Sequence, residues 1–164
     1  MRSRHPQVIA GLRFRRLVGT PDDRALVAGL LAACSPADLQ QRFGSPYGGE
    51  HLARWLVPQR PGDVSLVALL DDRPVASTTA ALVEPCRWEV SLLVPSPFQR
   101  RGIGTATLVE LLRHLPAGAR LTGQLAWSNE AAQHVLRAVL PAAVVTPVHD
   151  TLLFSSRLGS SGRR

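Results

Sequence analysis

Six consecutive residues, Gln99, Arg100, Arg101, Gly102, Ile103 and Gly104, set two permanently charged side chains beside two glycines. A guanidinium suits phosphate, because its fixed fork of donors matches two oxygens at once. Glycine removes the side chain that would hold an anion away from backbone N–H groups, and it permits backbone angles that other residues avoid. The same run could be a plain glycine turn ahead of a helix, so its meaning depends on what flanks it.

The flanks are a strand and a helix. Glu89 to Val94 (E-V-S-L-L-V) mixes β-branched residues and leucine without helical spacing, which predicts a mostly buried strand. Pro95 and Pro97 end it, since proline cannot donate to a ladder and holds the residue before it extended. Beyond the loop, Thr105, Leu108, Val109, Leu112 and Leu115 recur at spacings of three and four, which predicts a helix that buries that face. The loop therefore sits at a helix N-terminus, where unpaired N–H groups and roughly half a positive charge await an anion. A di- or polyphosphate is the ligand class on which these features agree. Two other glycine loops are excluded by spacing: the chain has no lysine for a G-x-x-x-x-G-K-S/T loop, and Thr105, Ala106 and Thr107 stand where G-x-G-x-x-G needs a third glycine.

Strand, Q-R-R-G-I-G and helix together resemble the Q/R-x-x-G-x-G/A acetyl-CoA motif of the GNAT N-acetyltransferase superfamily. The resemblance implies an α/β fold with a central mixed six- to seven-stranded sheet flanked by helices, splayed between the Glu89 and Leu121 strands so that the pantetheine arm lies in the gap. It implies acetyl-CoA as acyl donor and no metal. Its phosphates would meet Gln99, Arg100, Arg101, Gly102, Ile103, Gly104 and Thr105, while backbone N–H groups around Leu92, Leu93 and Val94 would face the reacting carbonyl. Asn129, in S-N-E-A-A, is similar to the family's asparagine at the start of the helix after the fifth strand; it is both a helix cap and a candidate cofactor contact. Ser35 to Phe43 (S-P-A-D-L-Q-Q-R-F) resembles a shorter segment of bacterial protein-lysine acetyltransferases, S-P-E-S-x-x-x-R-F.

Acyl transfer to an amine needs a base. A lysine-like amine has a pKa of about 10.4, so near neutral pH it is mostly protonated and cannot attack. Glu89 is similar to the strand glutamate that serves as base in many lysine acetyltransferases of this superfamily; otherwise it is an outward-facing strand residue or an arginine's partner. The family's tyrosine, seven residues after the asparagine, is replaced by Leu136, and the only tyrosine is Tyr47. His134 and His149 are remote substitutes. The departing thiolate then takes its proton from another group or from water, or leaves as the anion. Two function classes follow: an acetyltransferase acting on a protein lysine or small-molecule amine, and a non-catalytic acyl-CoA-binding sensor.

The remaining elements frame this centre. Leu12, Phe14 and Leu17 alternate with arginines as a first strand, and Thr20-Pro21 and Ser35-Pro36 are helix starts. Glu50 to Val57 reads as a further helical turn; Tyr47, Glu50 and His51 in this region are candidate acceptor contacts. Val64 to Leu70 and Val75 to Val83 form a hairpin across D-D-R-P, Leu121 to Ala126 is a strand, Asn129 opens a helix to about Leu140, and Ala142 to Val148 pairs with Thr151 to Phe154. One domain over 12–158 is expected, with flexible ends at 1–11 and 159–164.

Composition agrees with a globular domain: 164 residues, 45% apolar, formal charge +7, every basic residue an arginine. The arginines are spread along the chain without stacking aromatics, which argues against a nucleic-acid partner. Cys34 and Cys86 form neither a metal spacing nor a disulfide framework. The basic start lacks an apolar core segment and no run is long enough to span a bilayer, so a cytoplasmic location and no membrane partner are the expectations. The oligomeric state is left open by the sequence, a homodimer being the arrangement of many members of the family it resembles.

Overall fold

The computed structural model describes residues 9–48 and 50–159 of the chain; residues 1–8 and 160–164 of the expected flexible ends lie outside the described residues. Seven strands form one sheet: β1 (Leu12–Leu17), β2 (Val64–Leu70), β3 (Arg73–Glu84), β4 (Arg87–Leu93), β5 (Arg120–Ala126), β6 (Val144–Val148) and β7 (Thr151–Arg157). Their order is β1-β2-β3-β4-β5-β7-β6. All neighbours are antiparallel except β4 and β5. That parallel pair needs a crossover, which is helix α4 (Ile103–Arg113).

Helices α1 (Pro21–Ala32), α2 (Pro36–Phe43) and α3 (Glu50–Ala53), the last running into a 3₁₀ turn at Arg54–Leu56, precede β2. Helix α5 (Glu130–Val139) follows β5. Both α1 and α2 start where the sequence predicts, on Thr20 and Ser35 with proline in the first turn, and each cap closes a capping box, Thr20 with Asp23 and Ser35 with Asp38. The β2–β3 turn is made by Asp71 and Asp72, both at positive φ. That is the backbone of a two-residue hairpin turn whose twist matches its strands.

Two layers bury the two faces of the sheet. On one face Leu17, Val27, Leu30, Leu39, Leu56, Val67 and Leu93 join α1, α2 and α3 to the strands. On the other, Trp88, Val90, Leu108, Leu111, Leu121, Leu136 and Leu152 join α4 and α5 to them. The buried face of α4 is Ile103, Gly104, Thr107, Leu108 and Leu111, with Leu115 just beyond. This corrects the predicted face, since Thr105, Val109 and Leu112 are only partly buried. Thr107 enters the core because its hydroxyl donates to the Ile103 carbonyl at 2.7 Å, leaving no unpaired polar group behind. Among the described residues, no helix is long and apolar enough to cross a membrane.

Candidate acetyl-CoA and acceptor site

β4 and β5 pair only at Arg87–Arg120, Trp88–Leu121 and Glu89–Thr122. Both strands continue past that point, to Leu93 and Ala126, without pairing to each other. The strands therefore splay, and β4 presents a backbone edge with no strand partner on that side. Such an edge offers N–H and C=O groups to an extended ligand. Leu92, Leu93 and Val94 line its open end. At the narrow end Gly123 is obligatory: a Cβ there would lie 2.4 Å from the Phe154 ring and 2.8 Å from the Val90 carbonyl oxygen.

The mouth of this gap meets the N-terminus of α4. α1, α2 and α5 are each capped by a side chain, but the α4 cap residue is Gly102, with no side-chain cap and no acidic residue in the first turn. The first N–H groups of α4, those of Ile103, Gly104 and Thr105, thus lack the partner that the other helices have. Gly102 is left-handed (φ 76°), and so is Arg100 (φ 62°). Arg100 and Arg101 are both exposed. A Cβ at Gly104 would touch Leu92, Val135 and Val94, each at 3.4 Å, so this glycine also lets α4 approach β4 and α5 closely.

Gln99 and Asn129 are tied into the scaffold. The Gln99 side-chain amide donates to the Val94 carbonyl at 2.8 Å and to Asp38 at 3.3 Å. Asn129 caps α5 by accepting from the Ala132 N–H at 3.0 Å, and its amide donates to Gln41 on α2 at 3.3 Å. Each holds an element at the rim of the gap through its side chain.

Asp38, buried on α2, is a residue that sequence reasoning missed. Its carboxylate accepts from the Ser35 N–H (2.8 Å), the Ser96 N–H (3.0 Å), the Ser96 hydroxyl (2.7 Å) and Gln99 (3.3 Å). Burial alone would raise its pKa, but the hydrogen bonds from Ser96 and Ser35 outweigh burial and hold the carboxyl below its ordinary value. One side chain therefore fastens α2 to the turn that leads into the Gln99–Gly104 loop. The signal was an aspartate three residues after the Ser35 cap, but that accounts only for the capping box and not for the grip on Ser96.

Side chains alternate along β4, so Arg87, Glu89, Ser91 and Leu93 share the face toward α1 and α2 while Trp88 and Val90 sink into the other layer. Glu89 is exposed on that face. Arg42, on α2, reaches the same place: its guanidinium donates to the Ser91 hydroxyl at 2.7 Å and lies over the Phe43 ring. Burial lowers the Arg42 pKa to about 10, against the opposing pull of the nearby Glu89 carboxylate. Arg42 thus stays charged near neutral pH, with its Nε buried and unpaired.

Other candidate groups lie in the core or at the surface. Leu136 is buried in the core at the family's tyrosine position. Tyr47 is 77% exposed, and His51, His134 and His149 are exposed. The side chain of Glu50 lies outside the described residues. Burial pushes the Cys34 thiol up to about 12, with the Asp38 charge adding to it, whereas Cys86 sits exposed in the β3–β4 turn. No cluster of three or more histidine, cysteine or acidic residues suited to a metal occurs among the described residues.

Solved structures share the fold at low sequence identity. The GNAT domain of S. lividans PAT superposes with a TM-score of 0.73 at 16% identity, over 90% of each chain. A phosphinothricin acetyltransferase from Sinorhizobium meliloti, in complex with AcCoA, gives 0.71 at 16%, over 94% of this chain and 92% of that one. RimL, a ribosomal L7/L12 alpha-N-protein acetyltransferase in complex with coenzyme A, gives 0.72 at 16%, over 95% and 99%. No curated protein matches the chain in sequence. The profile of the acetyltransferase (GNAT) family matches residues 35–139, from the start of α2 to the end of α5, and so takes in the loop, the splayed strands and both helices beside them. The chain belongs to the acetyltransferase (GNAT) family, whose reaction is acetyl transfer from acetyl-CoA.

Proposed function

We propose that the protein moves the acetyl group of acetyl-CoA to a primary amine, with Glu89 as general base. The observation that carries this reading is the uncapped N-terminus of α4 at the mouth of the β4–β5 gap. The diphosphate rests on the Ile103, Gly104 and Thr105 N–H groups, with Arg100 and Arg101 as charged partners. The pantetheine arm runs along the free edge of β4, and the N–H groups near Leu92 to Val94 stabilise the developing oxyanion. Gln99 and Asn129 hold the rim of this site through the contacts described above.

The acceptor approaches from the Glu89 face. Its ammonium gives a proton to the Glu89 carboxylate, directly or through a water, and the freed nitrogen attacks the thioester carbonyl. The C–N bond forms, the nitrogen gives up its second proton to water, the C–S bond breaks, and the sulfur departs as thiolate. With Leu136 buried, no tyrosine is needed at that position, since a thiol pKa near 8.5 makes the anion a tolerable leaving group. The neighbours named above differ in acceptor, one acting on phosphinothricin and another on a protein N-terminus, so the acceptor is a property of each chain's own surface.

Release of free CoA thiol, followed in the presence of an amine panel of peptide lysines, polyamines and amino acids, tests the reading. Thiol release that depends on the amine, with acetylated amine found by mass spectrometry, is the expected result. Acetyl-CoA binding with no amine-dependent release would favour a sensor instead.

A further inference from the structure

The sheet register brings together three arginines that are far apart in sequence. Arg87 on β4 pairs with Arg120 on β5, and Arg120 pairs with Arg157 on β7. Partners in register point to the same face, so the three guanidiniums stand in one row across three adjacent strands, at about 5 Å per step. It is the face that carries Glu89, whose own partners Thr122 and Ser155 form the next row. Arg120 and Arg157 are exposed, and a shallow hollow lined by Arg87, Arg120, Thr122, Ser155 and Arg157 lies over them.

Like charges directly opposite each other destabilise a sheet. Among the described residues, only Arg87 has a counter-charge, Glu84 across the turn, and its Nε remains buried with no partner among them. Among the described residues, neither Arg120 nor Arg157 has a carboxylate within ion-pair distance. The row lies two residues, or about 7 Å, along the strands from the Glu89 row.

We propose that the Arg87–Arg120–Arg157 row is an acceptor subsite, and that the preferred acceptor is an amine carrying an anionic group, such as a carboxylate, about 7 Å from the reacting nitrogen. The inference rests on the Glu89 face being the acceptor side. The two sources of that chemistry are a small diamino acid and a lysine flanked by acidic residues in a peptide. An anion there relieves the repulsion along the row, and fork-shaped donors fix its orientation.

Matched acceptors decide it. One pair is Nα-acetyl-lysine and its amide, which differ only in the carboxylate; the other is the blocked peptides Glu-Lys-Glu and Gln-Lys-Gln. In at least one pair the charged member should show a kcat/KM at least tenfold higher, and which pair does so names the source. The preference should shrink in 500 mM salt and fall below threefold in Arg120→Gln/Arg157→Gln, whose fold is checked by thermal melting; Arg157→Gln alone serves if the double variant does not fold. Equal rates within both pairs, or a preference unchanged in the variant, would overturn the subsite while leaving acetyl transfer intact. Should no amine be acetylated at all, the function reading fails separately, and fluorescence anisotropy of a labelled, lysine-free Glu-rich peptide on the CoA complex settles the row. Salt-sensitive binding lost in the variant supports it; absence of binding overturns it.

Discussion

Replacing Glu89 by glutamine should lower kcat by a factor of about 10² to 10⁴, the usual worth of a positioned general base, while the affinity for acetyl-CoA stays within about twofold. The side chain is exposed on the α1–α2 face, so the substitution removes a charge without opening a cavity. Glutamine keeps the length and hydrogen-bonding shape but cannot take a proton at neutral pH. Arg42 adds a distinguishing detail. It stands beside Glu89 and keeps its charge, so in Glu89→Gln it loses its carboxylate neighbour but retains the Ser91 hydroxyl. Raising the pH should restore part of the lost rate, because a larger share of the amine is then deprotonated before it arrives. A variant as active as the parent near neutral pH would remove Glu89 from the mechanism.

Asp38→Ala should weaken acetyl-CoA binding by about tenfold or more even though Asp38 touches no part of the proposed ligand path. Removing the carboxylate strands the Ser96 and Ser35 N–H groups and takes the longer of the Gln99 amide's two bonds, leaving the one to Val94, and so loosens the turn that sets the loop. Hydrogen bonds to a charged group are worth about 1.5–3 kcal/mol each and are not additive within one network, so a total loss of about 2–4 kcal/mol of stability is expected. At this chain length that lowers Tm by roughly 5–15 °C. The pH dependence has a definite sign. The folded carboxyl lies below its unfolded value of about 3.9, so its contribution is fully present above that value and is lost as pH falls through the folded pKa. The stability gap between parent and Asp38→Asn in urea should therefore be wide at pH 7 and narrow below pH 4. A loss of stability with unaltered acetyl-CoA affinity would mean that α2 does not set the loop.

Much of the site is legible in the sequence because its parts are local. Pro95 and Pro97 mark the end of a strand, Gly102 the turn, and the apolar spacing after it a helix; each signal acts over a few residues. The helix starts at Thr20 and Ser35 are local in the same way. The splay between the Glu89 and Leu121 strands came from the family resemblance, and the pairing of β4 and β5 over three positions only agrees with it.

What escapes a sequence reading depends on register and on the third dimension. The Asp38 grip on Ser96 spans 58 residues, and the bond from Arg42 to Ser91 spans 49. Arg87, Arg120 and Arg157 look like scattered surface charges until the strand register lines them up. The α4 face was misjudged for a packing reason. Thr107 pairs its hydroxyl with its own helix and Gly104 offers no bulk, so both lie fully inside, while Leu112 packs at the margin of the core and Val109 is only partly buried.

Calorimetric titration with acetyl-CoA, on the parent chain and on Arg100→Glu/Arg101→Glu, tests the central claim most directly. Both arginines are exposed, so charge reversal should leave the fold intact, which a change at the closely packed Gly104 would not. Saturable one-to-one binding to the parent is expected, weakened at least a hundredfold in the variant, with unchanged melting of the free protein. Equal binding by the two proteins, or none by the parent, would contradict the assignment of the α4 N-terminus as the acetyl-CoA site.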